Sequence, residues 1–112
     1  MRTGKVWIVN FTPSVGDEIA KSRPAIVIDP DDIAGLKLRV IVPLTDANKL
    51  GRDWHVKIRP DASNNLIKES FADVLQLKSS STERFIRKIG ELSESDLDEI
   101  KLSIVQVLHL VL

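Results

Sequence analysis

Arg23 and Thr45 are the residues whose types and settings best suit chemistry on a phosphate. Arg23 follows a polar stretch, Ser14 to Ser22, and directly precedes Pro24, so its guanidinium sits where a flexible loop meets rigid chain. A guanidinium has no usable neutral state, but its planar fork can bind two phosphate oxygens and stabilise the charge of a phosphorane. The plain alternative is a solvated or salt-bridged arginine. Thr45 closes the run Val42-Pro-Leu-Thr45, where its hydroxyl can contact a substrate or form a local turn with the backbone of Asp46-Ala-Asn48. Asp17, Glu18 and Lys21 are charges of the same polar loop, solvated by default. Phe11, at the end of the strand before that loop, is the aromatic placed to stack on a base; Trp7, Trp54, Phe71 and Phe85 are core candidates.

The rest of the inventory narrows the chemistry. The chain has no cysteine, which removes disulfides, thiolate metal sites and a thiol nucleophile. Its two histidines fall on different expected elements: His55 reads as a half-buried strand residue and His109 as a partner for a helix C-terminus, so neither is a catalytic candidate. No phosphate-binding glycine loop, dinucleotide fingerprint or HExxH motif is present. Catalysis would fall to Arg, Lys, Thr, Ser and carboxylates.

These residues need a scaffold of short strands. Lys5 to Phe11 is rich in β-branched and aromatic types and ends before Pro13, which cannot donate to a ladder. Pro24 to Ile28 and Leu36 to Leu44 read as neighbouring strands joined through the turn chemistry of Asp29-Pro-Asp-Asp. Trp54 to Ile58 alternates as a half-buried strand, Asp61 to Asn65 is a turn, and Ser70 to Leu77 reads as a further strand. Ser79 to Thr82 is a hydroxyl run in which Ser80-Ser-Thr-Glu83 matches a capping box for one helical turn, and Arg87 to Leu92 fits a brief strand. Ser93-Glu-Ser-Asp96 is a second capping box. It opens an amphipathic helix with Leu97, Ile100, Ile104, Leu108 and Val111 on one face. The carboxylates crowding its first turns are explained by the helix dipole, at ~0.3 to 1 kcal/mol each.

The expected fold class is mainly β (α+β): five to six short, mostly antiparallel strands in a curved sheet or barrel, capped by a C-terminal helix. At 112 residues, with 43% hydrophobic and 29% charged side chains, the chain fits one globular domain, residues 1–112. Sixteen basic and sixteen acidic residues cancel, so nothing draws the whole surface to nucleic acid. The halves differ, however: residues 1–60 carry ten bases against seven acids, and residues 61–112 six against nine. A moderately basic face in the first ninety residues remains available. The N-terminus lacks the apolar core of a secretory signal, and Leu102 to Leu112 is too short to span a membrane. A cytoplasmic protein with no membrane association is expected.

Several segments together resemble a known family. They are Val6-Trp-Ile-Val-Asn-Phe-Thr-Pro-Ser-Val-Gly16-Asp-Glu18, Lys21-Ser-Arg23-Pro-Ala-Ile-Val-Ile28, Val42-Pro-Leu-Thr45, Ser70-Phe-Ala-Asp-Val-Leu-Gln76-Leu-Lys78-Ser79 and Lys88-Ile-Gly90-Glu-Leu92. This pattern is similar to that of the MazF/PemK toxins of bacterial and archaeal toxin–antitoxin systems, from about Gly4 to the terminal helix. The resemblance implies an SH3-like β-barrel with a C-terminal helix and a homodimer that binds single-stranded RNA in its groove. It implies metal-independent, sequence-specific cleavage by 2′-hydroxyl attack, with no cofactor and with a cognate antitoxin as inhibitor. On the same basis Arg23 and Thr45 are the catalytic pair, and Asp17, Glu18, Gln76, Lys78 and Ser79 join Phe11 and Lys21 as RNA contacts. The chain departs from many relatives at Lys5 and Asp17, where Asp and Ser are common, and at Lys78, where Arg is common. Toxins of this fold that poison gyrase by protein binding, and an inactive regulatory module, are the alternatives.

Overall fold

The computed structural model describes residues 2–30, 37–48 and 51–110. Seven strands form one sheet: β1 (Lys5–Asn10), β2 (Ser22–Val27), β3 (Leu38–Asp46), β4 (His55–Ile58), β5 (Ser70–Asp73), β6 (Lys78–Ser81) and β7 (Phe85–Glu91). Their order is β4-β5-β3-β2-β1-β7, with β6 branching off to pair with β3. Every pairing is antiparallel. The mainly β class with a terminal helix holds, with one correction: β4 and β7 stay at the two ends of the path, so the sheet is open and not a closed barrel.

The nine-residue β3 organises the sheet by changing partners along its length. Its first half pairs with β6, its middle with β2, and Leu44 to Asp46 with β5. The run Val40 to Leu44 is almost continuously apolar because both of its faces are covered. Two apolar clusters result. Val6, Ile26, Val42, Leu44, Val56, Ile58 and Ile100 centre the larger, and Val9, Phe11, Ala25, Val27 and Ile41 the smaller, with Trp7, Ile19 and Phe85 packed on its edge. The Trp7 and Phe85 rings meet at 5.7 Å between centroids.

The terminal helix α1 (Glu94–Val107) matches its sequence signals. Ser93 caps it by accepting from the Asp96 N–H, a bond worth about 1 kcal/mol. Ile100 is buried against the larger cluster with Leu97, Ile104 and Val107 beside it. Leu108 lies past the helix end and is exposed, and Val111 is outside the described residues.

Three segments depart from the sequence expectation. Ser70 to Leu77 is a strand only as far as Asp73, after which Val74–Gln76 forms a single 3-10 turn. The hydroxyl run is strand β6, held by backbone pairing of Ser79 to Val40 and Ser80 to Arg39; the helical turn begins later, at Thr82–Arg84, capped by Ser81. β7 starts at Phe85 and is longer than the brief strand expected at Arg87 to Leu92. It runs beside β1 with two register shifts. At Gly90 any Cβ would fall 2.4 Å from the Ser63 carbonyl oxygen, so only glycine lets β7 pass under that turn. No described helix is long and apolar enough to cross a membrane.

Candidate functional site

The β1–β2 loop is shaped by its own side chains. Its ends are held by the Phe11 N–H donating to the Lys21 carbonyl, and by Arg84, which donates to the carbonyls of Asn10 and Thr12. Asn10 accepts from the N–H and hydroxyl of Thr12. The Glu18 carboxylate turns back to accept from the Val15 N–H at 2.7 Å. Gly16 takes φ +58°, where glycine is at ease, and Lys21 takes φ +65°, where a side chain is not.

A cavity of about 430 Å³ lies between this loop and the β5–β6 corner. Phe11, Ile19, Pro43 and Leu77 give it apolar walls, and Asp17, Glu18, Gln76 and Lys78 its polar ones. Five of the sequence-derived candidates are thus brought together. Their availability differs. Phe11 is only 5% exposed and belongs to the smaller core cluster, so it presents no free ring face. Gln76 has committed its amide oxygen and nitrogen to the loop, and Glu18 one carboxylate oxygen. The Asp17 carboxylate and the Lys78 ammonium make no bond among the described residues, and both residues are exposed. Lys21 and Ser79 are exposed and line neither this cavity nor the next.

The second cavity, about 320 Å³, opens on the other face of the sheet. Pro43 and Leu44 are consecutive on β3 and line different cavities, as strand alternation requires. Ile8, Pro24, Leu44, Leu66 and Ile89 form the apolar floor of this second one. Arg23, Lys68 and Arg87 bring positive charge to its wall, and Asp46 is engaged by Lys68 at 3.0 Å. Arg23 and Arg87 have no hydrogen-bond or ion-pair partner among the described residues. Arg23 is half-buried inside β2 instead of leaving a loop. The β2–β3 ladder ends at Ala25 with Pro43, so Arg23 and Thr45 both lie two residues beyond it, and Thr45 lines neither cavity. Thr45 itself pairs with Phe71 of β5 and is half-buried. Sequence reasoning missed Arg87, and no sequence signal marks it: its place beside Ile8, itself the neighbour of Pro24, is set by strand pairing.

Lys5, one of the departures from the family pattern, bonds to Glu91 and straps β1 to β7. The Lys5 ammonium holds the Glu91 carboxyl below the ordinary carboxylate range, first by hydrogen bonding and then by charge. A fully buried ion pair, Arg39 on Asp29 at 2.9 Å through both carboxylate oxygens, ties β3 to the end of β2. No group of three or more His, Asp or Glu residues able to hold a metal ion occurs among the described residues.

The open antiparallel sheet with one terminal helix is the architecture of a class of small toxins. The family model for PemK-like, MazF-like toxins of type II toxin–antitoxin systems matches residues 2–108, and the chain belongs to that family. It is 28% identical over 107 residues to Endoribonuclease MazF9 of Mycobacterium tuberculosis, covering 89% of each protein. The crystal structure of MazF from Deinococcus radiodurans superposes with a TM-score of 0.82 at 22% identity, covering 98% of this chain and 97% of that one. A mycobacterial endoribonuclease in complex with its cognate antitoxin gives a TM-score of 0.77 at 12% identity, over 100% of this chain and 98% of that one.

Proposed function

We propose that residues 1–112 act as one domain, the toxin of a type II toxin–antitoxin pair, and cleave single-stranded RNA at a preferred sequence without a metal ion. The observation that carries this reading is the Arg23 guanidinium, without a partner among the described residues, at an apolar cavity in a chain that belongs to a toxin family and is similar to a named endoribonuclease. In the proposed reaction the 2′-oxygen attacks the neighbouring phosphorus, the bond to the 5′-oxygen breaks, and a 2′,3′-cyclic phosphate remains. Arg23 would stabilise the equatorial oxygens of the phosphorane, and the Thr45 hydroxyl would orient the reacting phosphate. Arg87 adds a second guanidinium at the wall of the Arg23 cavity, suited to a flanking phosphate. Asp17 and Lys78 supply free polar groups in the other cavity.

A homodimer is part of this reading. Ile67 is 98% exposed at the rim of the apolar Arg23 cavity, a setting that a second copy would cover. The antitoxin is read from the mycobacterial complex named above. The test is incubation of a mixed-sequence single-stranded RNA with the purified protein in excess EDTA, beside Arg23→Ala, with product ends mapped and mass measured by light scattering. Cleavage by the parent alone at a repeated short motif, leaving cyclic phosphate, is expected from a dimer. Persistence of cleavage in a folded Arg23→Ala variant, or its absence from the folded parent, would overturn the proposal.

A further inference from the structure

The Gln76 side chain, expected from sequence to contact RNA, is spent inside the protein. Its Oε1 accepts from the Ile19 N–H at 2.6 Å, and its Nε2 donates to the Asp17 carbonyl at 3.3 Å and to Asp73 Oδ2 at 3.1 Å. Both amide donors are therefore in use. Among the described residues, these are the only hydrogen bonds that tie residues 13–20 to the rest of the chain; the Glu18 bond to Val15 stays within the loop.

What holds Gln76 in this orientation is Asp73, the last residue of β5. Its side chain is buried, with Oδ2 on Gln76 and Oδ1 lacking a hydrogen-bond partner among the described residues. The same Oδ2 faces His55 Nε2 at 3.8 Å, beyond hydrogen-bond length. His55 Nδ1 accepts from the Arg52 N–H at 3.1 Å, so the ring proton of neutral His55 lies on Nε2, toward the carboxylate. The His55 ring stacks on Phe71 at 4.9 Å, which fixes its plane. A carboxylate with one orphaned buried oxygen is a poor stabiliser of the core by itself. Its geometry serves the amide of Gln76.

We infer that Asp73 is a positioning residue: through Gln76 it fixes the Asp17 carbonyl and the Ile19 amide, and so sets the shape of the loop-side cavity for RNA. The RNA part of this inference rests on the proposed function; the loop anchoring does not. Asp73 touches no substrate, and the residues it places bind while Arg23 and Thr45 react. Loss of Asp73 therefore weakens binding more than the chemical step.

The test has two readouts. In the free protein, hydrogen exchange at the Ile19 amide is expected to rise about tenfold or more in Gln76→Ala and in Asp73→Ala, with core amides such as Ile26 and Val42 unchanged. Asp73→Asn, which keeps an oxygen for Gln76, is expected to stay within about twofold of the parent. In RNA cleavage, Asp73→Ala is expected to raise KM about tenfold with kcat within about twofold, and Asp73→Asn to restore both. Should Asp73→Ala fail to fold, Gln76→Glu sets one carboxylate against another and frees the loop, while adding Asp73→Asn supplies a donor and recovers part of the protection. Unchanged Ile19 exchange in folded Asp73→Ala or Gln76→Glu, or a kcat loss with constant KM, would overturn the inference. A parent that cleaves no RNA would overturn the proposed function, and the exchange experiment would still decide the anchoring.

Discussion

The two cavities on opposite faces of the sheet are built on contrasting terms. On the loop side, Gln76 is consumed in holding the loop, Glu18 spends one oxygen within it, and Phe11 is consumed in the core. On the β2 side, Arg23 and Arg87 line an apolar cavity and have no side-chain partner among the described residues. A group already satisfied within the chain contributes shape, whereas an unpaired guanidinium beside apolar surface keeps its full capacity for an anion. The polar residues around the two cavities thus divide into those that hold the chain together and those that keep their side chains free of partners among the described residues.

This contrast breaks most readily at Phe11. If the ring is core, Phe11→Ala lowers stability by about 3 to 5 kcal/mol in denaturant unfolding, and a conservative Phe11→Leu leaves RNA affinity near that of the parent. A large affinity loss in stable Phe11→Leu would make it a stacking surface instead. At Arg23 the order reverses: Arg23→Ala is expected to lower kcat by about 10² to 10³ with the melting temperature unchanged, and Arg23→Lys to recover only part, because the fork is lost. Arg87→Ala sharpens the comparison on the same side. It should weaken RNA binding by up to about tenfold at low salt and reduce the slope of log affinity against log salt by about 0.7, the share of one phosphate contact.

The smallest effect is expected at Lys5, remote from both cavities. Its partner Glu91 has a lowered pKa, so the stabilisation from the pair is present above the ordinary carboxylate range and is lost as pH falls through the lowered value. Melting curves of parent and Lys5→Ala should differ slightly at neutral pH and converge in acid, with cleavage unaffected at neutral pH. An activity loss at neutral pH would bring Lys5 into the site.

How much of this was legible depended on the range of the interactions involved. Helix α1 was readable because Ser93, the acids after it and the spacing of Leu97, Ile100 and Ile104 are all local signals. Strand β6 was not: Ser79 to Ser81 look like a cap, and only the ladder to the distant Leu38 to Val40 makes them a strand. Arg23 and Thr45 are marked by residue type and by the family pattern, yet the cavity at Arg23 is assembled from β1, β2, β3, β7 and residues 65–70, which no local pattern announces. The bond between Gln76 and Ile19 spans 57 positions and leaves no trace in either segment. For the same reason nothing in the sequence singles out Asp73 within the expected strand Ser70 to Leu77, or Arg87 at the start of the expected strand Arg87 to Leu92.

The packing of Trp7 on Phe85, at the edge of the smaller cluster, has an optical consequence. The chain has two tryptophans and no tyrosine. Trp54 lies elsewhere, edge-on to His55, with its carbonyl taken by Ser103 of α1. Intrinsic fluorescence therefore comes from two separated reporters. A Trp54→Phe protein would carry a single emitter in the cluster that also holds Ile19 and Phe11, so its spectrum would follow the ground beneath the loop while the helix side stays dark.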